Sequence, residues 1–548
     1  MPIKLCLKQG GIKINRILPY FFFISALLIS IILLLPFLSI FLSFFESQTK
    51  HLIFVKETLI LDYAINSITL VSGVILLTFF LGTISAYLVS FFEFPGRNFF
   101  KWSLILSFAI PSYIYGYSLT AFFENFGSAY SILTSIFGDQ NFNYFIPKIG
   151  GMTASIISLS FTLFGYVFIL SRSSFINLSQ NLIEISQNLG FSSQKIFLNV
   201  ILPISRPAIF TGLALVAMET LADFGTVYFF NVKTFTTAIY DSWISFDDLN
   251  SSYKLSSILL IFVICVFSIE ILSRSKAKYY DKNFAQKHKR KLKKLDKKNG
   301  FFAFLFCFLL FFFSFLFPIF QMFYWCFKFP EYFSNLDLIN LNLNVLKLVF
   351  FSIILIISLS FFVSCNNRVF NSNILRSISN LSIIGYAVPG LIISVAVLSF
   401  LSEYESISIF NRKITIVGSI FGLILAYFFR FYFLSYNSLQ SNFSKISRTV
   451  DESAYLLGYS KIKTLLFIHL PYFRNTSFLI SILLSIEIIK ELPITLMLKP
   501  FNFETFATKA YAFASQDLLE ATALPSIFLI FWASIFILFT LKFSDIDK

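Results

Sequence analysis

Glu184-Ile185-Ser186-Gln187-Asn188-Leu189-Gly190, closing at Val200-Ile201-Leu202-Pro203, has a second copy in the same chain. That copy begins Glu452-Ser453-Ala454-Tyr455-Leu456-Leu457-Gly458 and closes at Ile468-His469-Leu470-Pro471. The offset is 268 at the Glu, the Gly and the Pro alike, and eight of the 20 paired positions are identical. Each copy interrupts long apolar runs, so each reads as a loop at a membrane face. Ser179–Leu189 and Thr449–Leu457 carry helical spacing of apolar residues, and Gly190 and Gly458 are the helix stops, where glycine adopts a left-handed backbone at little cost. The following segment, Ser192–Val200, sets Ile196, Phe197 and Val200 on one face, suited to a groove on a partner. The Leu-Pro pair then opens the next span. A single copy would fit an amphipathic loop with no partner; two copies at fixed spacing favour a repeated docking element.

The pattern of Glu, five residues, Gly, nine residues and Ile/Val-x-Leu-Pro resembles the EAA loop of ABC importer permeases. The resemblance implies that each loop is a coupling helix docking on an ATP-hydrolysing subunit, with Glu184, Gly190, Pro203, Glu452, Gly458 and Pro471 as coupling positions. Two copies resemble a fused pair of permease subunits. Ile185 departs from the pattern, which usually has a small residue there, so the two docking sites are expected to be unequal.

Composition agrees with a membrane setting. The 548 residues are 57% hydrophobic and only 13% charged, with mean hydropathy +0.79, the profile of a polytopic membrane protein. The net charge of +15 is concentrated. Arg274 to Lys298 holds 12 Lys/Arg against Asp281 and Asp296. Between membrane spans such a run reads as a cytoplasmic loop rather than a nucleic-acid site. The five cysteines form no CxxC and the three histidines no cluster, so neither a disulfide framework nor a zinc site is expected. No G-x-x-x-x-G-K-[ST] occurs, so no cofactor is expected on this chain, and ATP and Mg belong to a partner ATPase.

Twelve spans are expected: 17–45, 63–91, 102–124, 151–171, 206–230, 254–273, 301–326, 344–365, 378–401, 415–437, 473–498 and 520–541. Each is long enough for a hydrocarbon core of about 30 Å. The apolar run 17–45 is too long for a signal-peptide core and reads as a retained span. The basic N-terminus and the Lys/Arg-rich alternate loops put both termini in the cytoplasm of a multi-pass inner-membrane protein. Six spans per half give a parallel repeat: a first half at 1–273 with its loop at 172–205, a basic linker at 274–300, and a second half at 301–548 with its loop at 438–472. The fold class is therefore all-α, a twelve-helix polytopic protein, and the resemblance implies the type I ABC importer permease (MetI-like) fold. Ile110-Pro111-Ser112 pairs with Ala387-Val388-Pro389-Gly390 at an offset of 278, and the ten extra residues fit the outer loop Asn125–Lys148.

Five ionisable residues lie where lipid would penalise them. Glu219 and Asp223 belong to the fifth span; Glu487, Lys490 and Glu491 belong to the eleventh. The i, i+4 carboxylates are expected on one helix face, with Glu219 about 18 Å beyond Pro207. A charge at a helix centre costs on the order of 2.5–3.5 kcal/mol, so these groups are expected around a water-filled, cation-suited vestibule on the translocation pathway. The alternative is purely structural, with Lys490 satisfying Glu487 or Glu491. Tyr113, Tyr115 and Tyr117 either line the same path or pack. Thr234–Tyr240 and Thr505–Tyr511 read as short amphipathic helices at the outer surface, there to dock a binding protein or simply to lie at the interface.

Ala222-Asp223-Phe224-Gly225 with Thr234-Phe235-Thr236-Thr237, and Lys490-Glu491-Leu492-Pro493 running into Lys499–Thr505, resemble the permeases of ferric-iron ABC importers. That resemblance implies a periplasmic substrate-binding protein and two ABC ATPase subunits as partners, with no enzymatic activity on this chain. Thiamine, polyamine and phosphonate importers share parts of the pattern, and an ATP-independent secondary carrier is the more distant alternative.

Overall fold

The computed structural model describes residues 12–43, 45, 49–138, 146–275, 292–334, 336–370, 372–381, 385, 388–402, 406–409, 412–415 and 418–543. Most of the expected linker 274–300 and the terminal residues 1–11 and 544–548 lie outside that set, as does Ala387. The described chain is almost entirely helical. Its strands are two short pairs, Phe92–Glu93 parallel to Lys293–Lys294 and Ser406–Ile409 antiparallel to Arg412–Thr415.

Among the described residues nine helices are long and apolar enough to cross a membrane, and two bent pairs bring the number to eleven. The shorter apolar helix Gly390–Leu401 occupies the ninth expected position. Several spans differ from the sequence reading. Span three is two helices, Arg97–Ala109 and Ser112–Phe137, meeting at 92° where Ile110-Pro111 cannot continue the helix. Span five ends at Ala222 rather than 230, and span eleven ends at Lys490 with a further 54° bend at Phe473.

The helices pack in two matched sets. Ile60–Phe91 lies along Gly151–Asn177, with Leu202–Ala222 against both; Leu338–Phe370 lies along Ile420–Lys445, with Arg474–Lys490 against both. The first span of each set crosses over. Ile12–Ile32 packs on Leu338–Phe370, with Phe22 near Phe362 and Phe23 near Phe370. Conversely, Phe99 and Phe100 meet Phe311 and Phe304, and Tyr115 meets Phe317. The apolar cores of the two sets are thereby continuous.

Candidate functional site: two matched loops and the charged cavity between broken helices

Each loop is built by the same backbone grammar. Gln180–Asn188 ends at Gly190, whose φ is 80°; the Phe191 N–H donates to the Ser186 carbonyl at 3.1 Å and the Gly190 N–H to that of Gln187 at 2.9 Å. Arg448–Leu456 ends identically at Gly458, φ 83°, with Tyr459 donating to Ala454 and Gly458 to Tyr455, both at 3.0 Å. These paired bonds satisfy helix-end carbonyls, and only glycine takes the required φ without strain. Ser192 and Ser460 then cap the next short helix through their hydroxyls. Both copies continue through one wide turn, Phe197–Ile201 and Leu465–His469, closed by i→i+5 bonds from Leu202 and Leu470.

Glu184, Gly190, Pro203, Glu452, Gly458 and Pro471 are all solvent-exposed. The apolar face is not the one expected. Ile196 is buried and the Phe197 ring meets Tyr87 at 4.4 Å, tilted by 43°, so these two side chains pack on their own chain. Exposed apolar side chains stand on the preceding helix and its stop, Ile185 and Leu189 in the first loop and Leu456 and Leu457 in the second, and also on the following segment, at Leu198 and at Leu466 and Phe467. Leu-Pro opens no new helix in the first loop, because Ser193–Ala222 is one continuous helical run.

The loops are anchored differently. In the second, Arg368 Nε donates to Asp451 Oδ2 at 2.7 Å, its other nitrogens donate to the carbonyls of Phe443, Ile446 and Ser447, and His469 Nε2 lies 2.9 Å from Asp451 Oδ1. The corresponding first-loop positions are Ser90, Ile183 and Ile201, so that anchor is apolar.

Between the two sets, one cavity of about 120 Å³ is lined by Glu219, Asp223, Glu487, Lys490 and Glu491 together, with Arg430, Ser112 and Tyr113. The structure thus brings all five sequence-singled residues to one space. It does not place Asp223 or Glu491 on a helix face. Both sit just past a helix end, where the chain extends before the short helices Gly225–Phe229 and Pro493–Leu498 begin. There each carboxylate caps the next helix: Asp223 Oδ1 accepts from Thr226 and Val227 N–H at 3.0 and 3.2 Å, and Glu491 Oε1 from Ile494 N–H at 3.2 Å. Capping explains why the broken helices tolerate a carboxylate here.

The other contacts of the two carboxylates differ. Asp223 Oδ2 accepts from the Ser112 and Thr226 hydroxyls at 2.6 and 3.0 Å. Glu491 Oε1 accepts from the Arg430 guanidinium at 3.2 Å, and both side chains are nearly buried. Lys490 lies 3.5 Å from Glu487, one turn along the same helix. Glycine at 390 leaves room for the buried pair in this geometry. A Cβ there would overlap Arg430 Nη1 and Glu491 Oε1. Gly390 matches Ser112 at the 278 offset, and Arg430 matches Thr162 at 268. Arg430 went unremarked in the sequence reading, although the rule that singled out Glu219 applies equally to a cation inside 415–437. Gly390 had no sequence signal beyond following a proline.

Tyr113 lines the cavity, whereas Tyr115 and Tyr117 pack, on Phe161 and Phe229 respectively. The helices Phe235–Tyr240 and Phe506–Ala514 are not surface elements. Phe235 to Ile239 and Phe506 to Thr508 are buried, and the Thr236 hydroxyl donates to the Asp223 carbonyl at 2.9 Å. Both begin with reciprocal threonine caps, Thr234 with Thr237 and Thr505 with Thr508. They buttress the broken spans instead of displaying a docking face. Among the described residues no group of three or more His, Cys, Asp or Glu side chains is placed to hold a metal ion.

Residues 78–285 match the family of binding-protein-dependent transport system inner membrane components. The chain is 25% identical over 524 residues to the Fe(3+)-transport system permease protein FbpB 2 of Haemophilus influenzae, covering 92% of this chain and 95% of that protein. It is 28% identical over 186 residues to a probable sulfate transport system permease protein, cysT, of Chlorella vulgaris, covering 33% of this chain and 67% of that one.

Proposed function

We propose that this chain is an inner membrane component of a binding-protein-dependent transport system, a two-half permease for ferric iron. The observation that carries the reading is the duplicated unit of loop and broken helix, whose two copies meet at one charged cavity. In this reading the first half is 1–273, the basic linker 274–300 and the second half 301–548, with both termini and both loops on the cytoplasmic side. A periplasmic binding protein delivers the solute to the outer face. Two separate ATPase subunits carry ATP and Mg and engage the loops through Glu184, Gly190, Pro203, Ile185 and Leu189 on one side, and Glu452, Gly458, Pro471, Leu456 and Leu457 on the other. Closure of the ATPases moves the two loops together. Because each loop is continuous with a cavity-lining span, that motion changes the side from which the cavity opens.

The solute is assigned as ferric iron from the full-length likeness to a permease so named. The cavity agrees in sign: four carboxylates against Arg430 and Lys490 leave a formal excess of two negative charges. The relatives named for sulfate raise an oxyanion as a second reading, but that charge excess disfavours a dianion. The test is uptake of radioactive ferric iron by vesicles holding this chain, its ATPase and its binding protein. ATP-dependent uptake that disappears when Glu184 and Glu452 are both changed to Ala is the expected result. Uptake of sulfate, thiamine, a polyamine or a phosphonate in place of iron would keep the machine and replace the solute. Transport without the ATPase would overturn the coupling.

A further inference from the structure

Where the first loop meets the start of the second half, the structure leaves an apolar groove of about 500 Å³. Its walls are Tyr87, Leu88 and Phe92 from the end of span two, Phe197 and Leu198 from the loop, and Phe302 from span seven. The volume is within the range of about 300–1,000 Å³ typical of ligand sites. Lysines adjoin the lining residues in sequence: Lys195 follows Gln194, Lys294 precedes Leu295 and Lys297 and Lys298 precede Asn299, and all four are exposed, as is Lys293, with Glu93 and Asp296 the acidic residues of the same stretches. Lys293 is fixed in place: its ammonium donates to the Ser193 hydroxyl at 3.1 Å, and Ser193 itself lines the groove.

We propose that this groove binds one anionic phospholipid of the leaflet that contacts the loops, with an acyl chain along Leu88, Leu198 and Phe302 and its phosphate on Lys293 and the neighbouring lysines. The chemistry selects that occupant. Leu88 belongs to Ile60–Phe91 and Phe302 to Lys297–Lys328, both long and apolar enough to cross a membrane, so this side of the groove suits acyl chains, and lysines at the ends of such spans meet anionic headgroups. Basic pockets between spans at such a face are recognised headgroup sites. The bound lipid joins the first loop to span seven, which belongs to the other half. It thus tunes the stiffness of the first loop. The proposal is independent of which solute is carried.

The experiment is native mass spectrometry of the full-length chain, released from detergent after equilibration with equal amounts of phosphatidylglycerol and phosphatidylcholine. The expected result is one retained lipid with phosphatidylglycerol preferred. Lys293→Gln, Lys294→Gln and Lys297→Gln combined should erase the preference, at roughly fivefold per lysine. Leu198→Trp, an exposed position that fills the groove, should lower retention of both lipids while the protein elutes unchanged. A preference that survives the lysine changes, or retention that survives Leu198→Trp, would overturn the proposal. So would a chain that retains no lipid, as when the neighbouring linker fills the groove.

Discussion

At the scale of single residues, the buried pair Arg430–Glu491 is the most constrained feature of the cavity. Two nearly buried charges lose much hydration, and removing one partner strands the other at a cost of about 3–5 kcal/mol. Arg430→Met should therefore lower the thermal unfolding midpoint of the purified chain markedly. Arg430→Met with Glu491→Gln should recover most of the loss, because no uncompensated charge remains. Gly390→Ala should act in the same direction as Arg430→Met by prising the pair apart. These three midpoints, measured side by side in detergent, distinguish charge stranding from simple loss of packing. Gly190 and Gly458 make a different demand. Their surroundings are open, so a side chain meets nothing, but their positive φ charges about 1–2 kcal/mol to any β-branched residue. Gly458→Val should leave the chain assembled while distorting the helix stop that presents Leu457. ATPase stimulation by loaded binding protein should fall with no loss of membrane expression.

At the scale of elements, the two loops share a backbone and differ in what holds them. Asp451 links Arg368, at the end of span eight, to His469 in the wide turn; Ile183 and Ile201 do the corresponding work by apolar burial. Asp451→Asn keeps the shape but removes the charge that organises Arg368. Amide hydrogen exchange should then quicken over Arg448–Leu456 and stay unchanged over Gln180–Asn188. Equal acceleration in both loops would mean that they are coupled through the spans rather than anchored separately. The broken helices show why an element is more than its hydropathy. Glu219–Asp223 and Glu487–Glu491 read as faces of continuous helices, since i, i+4 spacing is the helical default. Pro493 and the extended residues at 223 and 491 end those helices, turning the second carboxylate of each pair into a cap for the next segment.

At the scale of the whole molecule, the cavity exists only because the two sets of helices face each other. Glu219, Glu487 and Lys490 are each partly accessible on it. Cysteine introduced singly at these positions, in a chain otherwise free of cysteine, should react with an aqueous thiol reagent. Protection in every nucleotide state would remove the cavity from the pathway. The exchange of first spans, with Ile12–Ile32 against the second set and Lys297–Phe311 against the first, makes each set incomplete without the other. Separately expressed halves should accordingly be stable only when produced together, as co-purification of tagged halves would reveal.

The sequence alone determined the membrane class, the all-helical architecture and the duplicated loops, because hydropathy, glycine stops and a constant offset are local and survive in one dimension. It also marked Glu219, Asp223, Glu487, Lys490 and Glu491, since charge in an apolar run is costly wherever the chain goes. Tertiary structure alone decided which partners those charges take. Arg430 lies 61 residues from Glu491 and meets it beside Gly390, from a third helix, which leaves the space. It decided too that Ile196 and Phe197 face inward, that the threonine-capped helices are buried, and that the first spans change sides. Each of these depends on which surface lies opposite, and periodicity gives a helix its apolar face without naming the neighbour that covers it.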